Sequence, residues 1–280
     1  MYPRGWNRQR RFATLASMNQ PSERLRLALI AAREAGEITL RYFRRDDLRV
    51  DHKQDDSPVT IADREAEQHL RDRIAEAFPE DAIVGEEFDD REGTSGYRWI
   101  LDPIDGTKSF ISGVPLYGTL IGVEHNGDCL LGVISVPALG ETVYAETGGG
   151  AWYVRGDAEP TPAKVSSTER LAEGLFCTTA VGSFNETDRL PAYDRLQAKA
   201  RITRTWGDCY GYLLVVTGRA AVMVDPIMNV WDAAALKPIL EEAGGRFTDW
   251  TGQPTIHSGE GVGTNGHVHD EVIRLLDGQS

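Results

Sequence analysis

The first half of the chain alternates between helical and strand spacing of its hydrophobic residues. After residue 21, apolar positions recur three and four residues apart behind Ser22, which predicts a helix from Ser22 to about residue 44. A polar loop over 46–58 follows, and Thr60 then provides the N-cap of a second predicted helix that ends at Phe78. Two short apolar runs, at 82–84 and 99–101, are typical of buried strands.

Further along, β-branched runs dominate. Between Leu116 and Val154 these runs alternate with Asn126-Gly127 and Gly148-Gly149-Gly150, which predicts an antiparallel meander. The remaining chain predicts strands at 176–179 and 220–224, and helices near 187–200, 207–217, 231–243 and 270–276. Pro238 falls inside one of these helices and should kink it.

Composition narrows the function classes. The 280 residues carry 43 acidic and 30 basic side chains, a formal net charge of −13, which argues against a nucleic-acid or anionic-membrane surface. No apolar run reaches the ~20 residues that span a bilayer. Cys129, Cys177 and Cys209 are widely spaced without a CxxC pair, so we expect thiols in a reducing, cytoplasmic compartment.

The N-terminal segment differs from the rest. Residues 1–22 contain four arginines and no acid, at positions Arg4, Arg8, Arg10 and Arg11. Three interpretations stay open, namely a transit peptide, a disordered tail, or an upstream start codon with Met18 as the true first residue. We favour a disordered tail over residues 1–21.

The most informative chemistry lies in Asp102-Pro103-Ile104-Asp105-Gly106-Thr107, directly after a predicted buried strand. The proline stiffens the end of the strand, the glycine allows a tight turn, and Thr107 is a candidate helix N-cap. Two carboxylates beside the amide groups of Gly106, Thr107 and Lys108 suit a metal ion and a phosphate group.

Two further acids are expected to join this pair. Glu86 follows another predicted strand, and Asp232 lies at the start of the predicted 231–243 helix. If the four carboxylates converge, each like-charged pair at ~4 Å repels by roughly 4 kcal/mol at an effective dielectric near 20. Such a cluster needs protons or cations, and an all-oxygen ligand set favours Mg²⁺ over zinc.

Three motifs resemble the inositol monophosphatase family. They are the run from Asp102 to Thr107, Gly85-Glu86-Glu87, and Trp231-Asp232-Ala233-Ala234 with Glu242-Ala243-Gly244-Gly245. Nearly all of the chain after about residue 22 follows the pattern. The resemblance implies a layered αβαβα sandwich of the inositol monophosphatase / fructose-1,6-bisphosphatase type, a homodimer, and hydrolysis of phosphate monoesters with two to three Mg²⁺ ions per active site.

The resemblance also implies roles for the metal ligands. Asp102 would bridge two ions, with Glu86 and the Ile104 carbonyl completing one site and Asp105 and Asp232 the other. We therefore expect an N-terminal α+β lobe over 22–155 that carries most ligands. A C-terminal α/β lobe over 156–280 would complete the metal and substrate site.

The attacking water would be oriented by Thr107 and Glu86, with Asp63 fixing the Thr107 hydroxyl, if the resemblance holds. Lys53 near the phosphate or a third ion is a weaker expectation. Acids at helix starts are commonly caps, and this is the alternative interpretation for Asp63 and Asp232.

Two stretches bear on the substrate. Lys108-Ser109-Phe110 and the run from Arg204 to Tyr212 are similar to the histidinol-phosphate phosphatase branch of the family. Because histidinol phosphate carries an ammonium and an imidazole, its pocket should offer carboxylates, and Asp208 and Asp225 are the candidates. Gly207 and Cys209, which flank Asp208, are also candidate substrate-binding residues.

Each substrate residue has a local alternative. Asp208 could cap the 207–217 helix, and Asp225 precedes a proline as turn residues often do. Asn265 is a weaker substrate candidate for which a turn role is equally plausible. We expect Tyr212 to be a packing residue.

The sequence therefore predicts a Mg²⁺-dependent histidinol-phosphate phosphatase of histidine biosynthesis, acting on a small phosphate ester. The first alternative is a phosphatase for inositol 1-phosphate or sugar phosphates. An alternative of another class is a regulatory scaffold that binds a protein partner.

Overall fold

The structure of the protein is a computed structural model that describes residues 21–53 and 57–278. The tail expected over residues 1–21 therefore lies, apart from Pro21, outside the described residues.

Helices and strands alternate along the described residues. The helices are α1 (Glu23–Tyr42), α2 (Ile61–Ala77), α3 (Thr107–Ile111), α4 (Val181–Glu186), α5 (Leu190–Lys199), α6 (Cys209–Val216), α7 (Val230–Ala233), α8 (Leu236–Glu242) and α9 (His269–Leu276), with one 3₁₀ turn at Leu171–Glu173. The strands are β1 (Val50–His52), β2 (Pro58–Thr60), β3 (Ala82–Gly85), β4 (Tyr97–Asp105), β5 (Gly118–His125), β6 (Asp128–Val136), β7 (Glu141–Glu146), β8 (Ala151–Arg155), β9 (Thr161–Pro162), β10 (Leu175–Cys177), β11 (Ile202–Arg204), β12 (Val222–Asp225), β13 (Arg246–Thr248) and β14 (Gly261–Thr264).

The predicted caps start the first two helices. The Ser22 hydroxyl accepts a hydrogen bond from the Leu25 amide at 3.1 Å, and α1 then buries a stripe of Leu and Ala residues. The Thr60 hydroxyl accepts from the Ala62 amide at 3.1 Å at the start of α2. Both helix starts follow from contacts within one turn of sequence, which is why the sequence predicts them well.

The first sheet has seven strands in the order β3-β4-β5-β6-β7-β8-β9. β3 runs parallel to β4, and all other pairs are antiparallel, which confirms the predicted meander. Its last strand, β9, pairs with β8 at Thr161 and Pro162, so this sheet continues past the lobe boundary expected at residue 155.

The second sheet has five strands in the order β11-β10-β12-β14-β13. β11, β10 and β12 are parallel, so their C-terminal ends meet at one edge. The sequence did not predict β13 and β14, because β14 is Gly261-Val262-Gly263-Thr264, with one apolar side chain and two glycines. Gly263 is needed for packing, since a Cβ there would come within 2.8 Å of the Tyr212 ring.

The two sheets and their helices form five layers. One hydrophobic cluster joins α1 and α2 to one face of the first sheet, and another joins the opposite face to α6 and α8. The same two helices cover the second sheet, whose outer face packs against α5 and α9. This arrangement confirms the predicted αβαβα sandwich. None of the described helices combines the length and apolar character that crossing a bilayer would require.

The predicted 231–243 helix is broken into α7 and α8, as its internal proline suggested. Pro238 has no N–H for the Ala234 carbonyl, and helical hydrogen bonding stops at that point. The break lies directly on the first sheet, because a Cβ at Gly132 would come within 2.1 Å of the Ala235 carbonyl oxygen. Glycines in the sheet therefore let α7, which carries Asp232, lie close against the strands.

Candidate active site

A β-bulge at the end of β4 aims two carboxylates in one direction. Asp102 and Asp105 are three residues apart and would face opposite sides of a regular strand. The pairing of β4 with β5 shifts register between them, and the Asp102 carboxylate accepts the Ile104 amide at 3.0 Å. The Thr119 hydroxyl donates to the Pro103 carbonyl at 2.9 Å and holds the bulge.

Asp232 reaches the same place from the second half of the chain. It lies in α7, where its carboxylate accepts the Asn229 amide at 2.6 Å, so it does cap the helix. One oxygen each of Asp102, Asp105 and Asp232 lies within 4.8 Å of the other two. Three of the four acids predicted to converge therefore do so, from both halves of the chain, and the capping role of Asp232 does not prevent it.

Glu86 adjoins this triad from the end of β3. β3 pairs in parallel with β4, with Gly85 opposite Leu101, so Glu86 lies beside Asp102, and its negative charge contributes to the raised pKa of Asp102. The Lys53 ammonium lies 2.7 Å from a Glu86 oxygen and 2.7 Å from a Glu87 oxygen. Burial lowers the pKa of Lys53, but these two hydrogen bonds outweigh it and the pKa is raised, so Lys53 is a fixed cation at the rim.

The triad is electrostatically suited to a hard cation. Burial, followed by the charge of Glu86, raises the pKa of Asp102 well above its usual range. Burial and then the charge of Asp208 do the same to the pKa of Asp105, and burial raises the pKa of Asp232 to about 6. The donor set is all oxygen and its repulsion is relieved by divalent positive charge, which is the chemistry of a Mg²⁺ site.

Asp63 serves both as a helix cap and as a neighbour of Thr107. It is fully buried, accepts the Thr60 amide at 2.8 Å, and accepts the Thr60 hydroxyl at 2.6 Å. Its other oxygen lies 3.5 Å from the Thr107 hydroxyl, which also donates to the Ile104 carbonyl at 3.1 Å. Burial raises the pKa of Asp63 to about 6.

The turn after β4 differs from the sequence prediction in one detail. Gly106, with φ +87°, is the N-cap of α3, and Thr107 is the first helical residue instead of the cap. The left-handed backbone at Gly106 frees the Thr107 hydroxyl for the site. The amides of Gly106, Thr107 and Lys108 lie at the helix start, where N–H groups have no intrahelical acceptor.

Asp208 lies against this turn. The position is left-handed, with φ +50°, and the side chain makes no capping hydrogen bond to α6, so the capping interpretation is wrong. One carboxylate oxygen lies 3.4 Å from the Ser109 hydroxyl, and a Cβ at Gly106 would come within 2.7 Å of it. Burial, then the charge of Asp225, raises the pKa of Asp208 to about 7, against the lowering effect of Ser109 and Lys108.

The neighbours of Asp208 hold it in place. A Cβ at Gly207 would come within 2.3 Å of the Thr179 Cα, so only glycine fits there. The Asp208 amide donates to the Thr179 hydroxyl at 3.0 Å, and the Cys209 amide donates to the Asp105 carboxylate. Gly207 and Cys209 thus contribute through their backbones to the position of this segment.

Asp225 ends β12 at the same edge of the second sheet. Its carboxylate accepts hydrogen bonds from the Thr178 hydroxyl at 3.3 Å, the Thr179 amide at 2.9 Å and the Tyr212 hydroxyl at 3.1 Å. Tyr212 is buried as expected of a packing residue, but its contact with Asp225 was not predicted. No sequence pattern indicates that contact, because it joins α6 of the central helix layer to β12 of the second sheet.

Asn265 is at the wrong end of the sheet for the site. β14 is antiparallel to β12, so Gly261 pairs with Asp225 while Thr264, next to Asn265, pairs with Val222. The Asn265 amide group donates to the Ser166 and Thr168 carbonyls at 3.1 and 2.8 Å. Asn265 therefore has the turn role that the sequence left open. The weaker prediction that it contacts the substrate is wrong, because it lies at the opposite end of β14 from Asp225.

Known proteins are similar to this chain in sequence and in fold. Residues 20–279 match the Inositol monophosphatase family. Histidinol-phosphatase of Chlorobaculum parvum is 48% identical over 85% of this chain and 90% of its own, and that of Mycobacterium tuberculosis is 38% identical over 90% and 97%. Among solved structures, the Thermotoga maritima IMPase has a TM-score of 0.81 at 32% identity, covering 92% of this chain and 98% of its own.

The fold and the acidic site define a phosphoric monoester hydrolase. The match extends over nearly all of the described residues and includes the β4 turn, the Glu86 motif and the α7 motif. This chain belongs to the inositol monophosphatase family.

Proposed function

We propose that this protein hydrolyses histidinol phosphate to histidinol and inorganic phosphate, with Mg²⁺ as its cofactor. The observation that carries the proposal is the pair Asp208 and Asp225, of which Asp208 lies against the turn that would hold the phosphate. Asp225 is buried and Asp208 is partly buried, and the hydrogen bonds to both carboxylates come from neutral hydroxyl and amide groups. The relatives named histidinol-phosphatase, at 36% to 48% identity, support the same substrate.

The metal ions would be held by the triad and its neighbours. Asp102, Asp105 and Asp232 would supply carboxylates, whose oxygens lie within 4.8 Å of one another. Glu86 and the Ile104 carbonyl would complete the set. When bound, Mg²⁺ neutralises charge on the phosphoryl oxygens and makes a coordinated water more acidic.

The protein's own groups orient the reactants. The Thr107 hydroxyl, held by the Ile104 carbonyl and by Asp63, presents its oxygen lone pairs to the attacking water. The Glu86 carboxylate is the nearby acceptor for a proton of that water. The amides at the start of α3 hold the phosphate, so that the attack occurs from a fixed direction.

The cationic end of the substrate would pair with Asp208 and Asp225. An ammonium or imidazolium group there offsets the two negative charges, whereas a neutral polyol leaves them without a charged partner. A site built around a polar partner rejects a ligand that lacks it far more strongly than a site built on shape alone.

The proposal is tested by comparing kcat/KM for histidinol phosphate and for inositol 1-phosphate at saturating Mg²⁺. We expect a preference of about 100-fold or more for histidinol phosphate. Equal efficiency on the two esters would exclude the assignment and favour a broad inositol or sugar phosphatase. The Asp105→Asn variant, purified in parallel, should hydrolyse neither ester and so controls for contaminating phosphatases.

The cytoplasmic location, the homodimer and the place in histidine biosynthesis stay predictions. Complementation of a strain that lacks histidinol-phosphatase tests the pathway, and the inactive Asp105→Asn variant separates catalysis from a scaffold role. Growth with the inactive variant would favour the scaffold.

A further inference from the structure

A buried carboxylate on α2 holds the turn that carries Glu86. Glu67 is fully buried, and one of its oxygens accepts the backbone amide of Glu87 at 2.8 Å. Its other oxygen accepts the Arg71 guanidinium at 2.8 Å. Both oxygens are therefore used, one on the turn and one on the arginine.

Arg71 completes the same attachment. Its guanidinium donates to the Phe88 carbonyl and to the Asp89 carbonyl, each at 2.9 Å. Glu67 and Arg71, one helical turn apart on α2, thus bind an N–H and two carbonyls of one short segment. That segment follows the end of β3, so it has no strand ladder to fix its direction.

Glu67 and Arg71 lie so close to the end of β3 that only glycine fits at position 85. A Cβ at Gly85 would come within 2.1 Å of a Glu67 oxygen and 2.9 Å of an Arg71 nitrogen. Glu86 is the next residue and, because Gly85 pairs with Leu101, it lies beside Asp102, while Lys53 bridges Glu86 and Glu87 from the other side. The backbone that aims Glu86 is therefore clamped between α2 and Lys53.

We propose that Glu67 and Arg71 are positioning residues that aim Glu86 at the metal site and thereby set the affinity for Mg²⁺. The proposal rests on the proposed Mg²⁺-dependent function. Residues that orient metal ligands without touching the metal commonly change its affinity by about 10- to 100-fold when they are replaced.

The first test is Glu67→Gln, with Mg²⁺ binding measured by calorimetry on the full-length protein. The glutamine has one carbonyl oxygen, so either Arg71 or the Glu87 amide loses its acceptor. We expect the Kd for Mg²⁺ to rise about 10-fold or more. The Mg²⁺ concentration that gives half-maximal activity should rise with it, while kcat at saturating Mg²⁺ recovers to within about 3-fold of wild type.

The matched control is Glu124→Gln. Glu124 is also a buried carboxylate paired with an arginine, Arg98, but at the opposite end of β4 from Asp102. The Glu124→Gln variant should have a lower melting temperature than the wild type and an unchanged Kd for Mg²⁺. If Glu67→Gln behaves like this control, with a lower melting temperature and a wild-type Kd, the pair is only structural and the proposal is wrong.

A second variant covers the case in which Glu67→Gln does not fold. Arg71→Lys keeps the positive charge, but a lysine cannot contact Glu67 and two carbonyls together. The Kd of this variant for Mg²⁺ should therefore also rise. A wild-type Kd would overturn the proposal. A failure of the proposed function can be distinguished from a failure of this positioning proposal. A wild-type protein that binds Mg²⁺ but hydrolyses no ester would exclude the phosphatase while leaving the Kd comparison valid.

Discussion

Replacing Asp208 by asparagine removes one negative charge from the candidate substrate pocket and little else. Asparagine has nearly the same volume and can still accept from the Ser109 hydroxyl through its carbonyl oxygen. We therefore expect the variant to fold, bind Mg²⁺ and hold the phosphate as the wild type does. Only its interaction with a cationic substrate group should change.

The size of the effect follows from the partial burial of Asp208. Two unit charges ~4 Å apart at an effective dielectric near 20 attract by roughly 4 kcal/mol, and hydrogen bonds to charged groups contribute about 1.5–3 kcal/mol net. Part of this is offset by desolvation of the ammonium, so a loss of roughly 2–3 kcal/mol is reasonable. That corresponds to about a 30- to 150-fold decrease in kcat/KM for histidinol phosphate.

The assay is phosphate release at saturating Mg²⁺, with histidinol phosphate and inositol 1-phosphate compared in each variant. For Asp208→Asn we expect kcat/KM for inositol 1-phosphate to stay within about 3-fold of wild type, since a neutral ligand gains little from the charge. Asp188→Asn is the matched control, because Asp188 is exposed and also has a left-handed backbone, with φ +58°.

The pH dependence provides an internal check. Because the pKa of Asp208 is raised to about 7, its charged form is lost as the pH falls below 7. In the wild type, the ratio of kcat/KM for the two esters should therefore fall between pH 8 and pH 6, and this change should be absent in Asp208→Asn. An equal loss on both esters would refute the reasoning and make Asp208 a structural residue.

Two further predictions concern the metal site. Gly132→Ala places a Cβ within 2.1 Å of the Ala235 carbonyl oxygen, so it should displace the α7–α8 break, destabilise the fold by about 1–3 kcal/mol and raise the Mg²⁺ requirement through Asp232. Gly182→Ala, which meets nothing within 4 Å, is its control, and an unchanged melting temperature for Gly132→Ala would contradict the packing argument. In EDTA, unfolding by urea should require less denaturant at pH 8 than at pH 5. The pKa of Asp232 rises from 3.8 to about 6 on folding, which corresponds to roughly 3 kcal/mol of stability that is present below pH 4 and lost as the pH rises through 6. Mg²⁺ should reverse this loss, and greater metal-free stability at pH 8 would exclude the electrostatic explanation.

Much of the fold could be predicted because its signals are local. The caps at Ser22 and Thr60 act within one helical turn, and the proline in the 231–243 segment acts on the carbonyl four residues before it. The meander followed from alternating β-branched runs and glycine turns. The missed strands, β13 and β14, have little apolar character of their own and are strands because of the neighbours they pair with.

The functional residues differ in the same way: those in local motifs could be predicted, and those placed by long-range contacts could not. The motif residues Asp102, Asp105 and Asp232 could be named from the sequence, and they do converge. Asn265 was misplaced because its distance from Asp225 depends on the antiparallel direction of β14, which no local pattern encodes. Glu67 was overlooked because one more acid on an exposed-looking helix carries no signal until the turn after β3 is seen packed against it.

The sequence by itself determined the kinds of chemistry available: oxygen ligands on a stiff strand end, a glycine turn before a helix, and acids where a cationic substrate would need them. Only the tertiary structure decided which of these groups meet. The bulge in β4 turns Asp102 and Asp105 to one side, and the glycines under the α7–α8 break let Asp232 approach them. These placements depend on strand pairing and close packing between residues far apart in the chain, and such contacts are fixed by the whole fold.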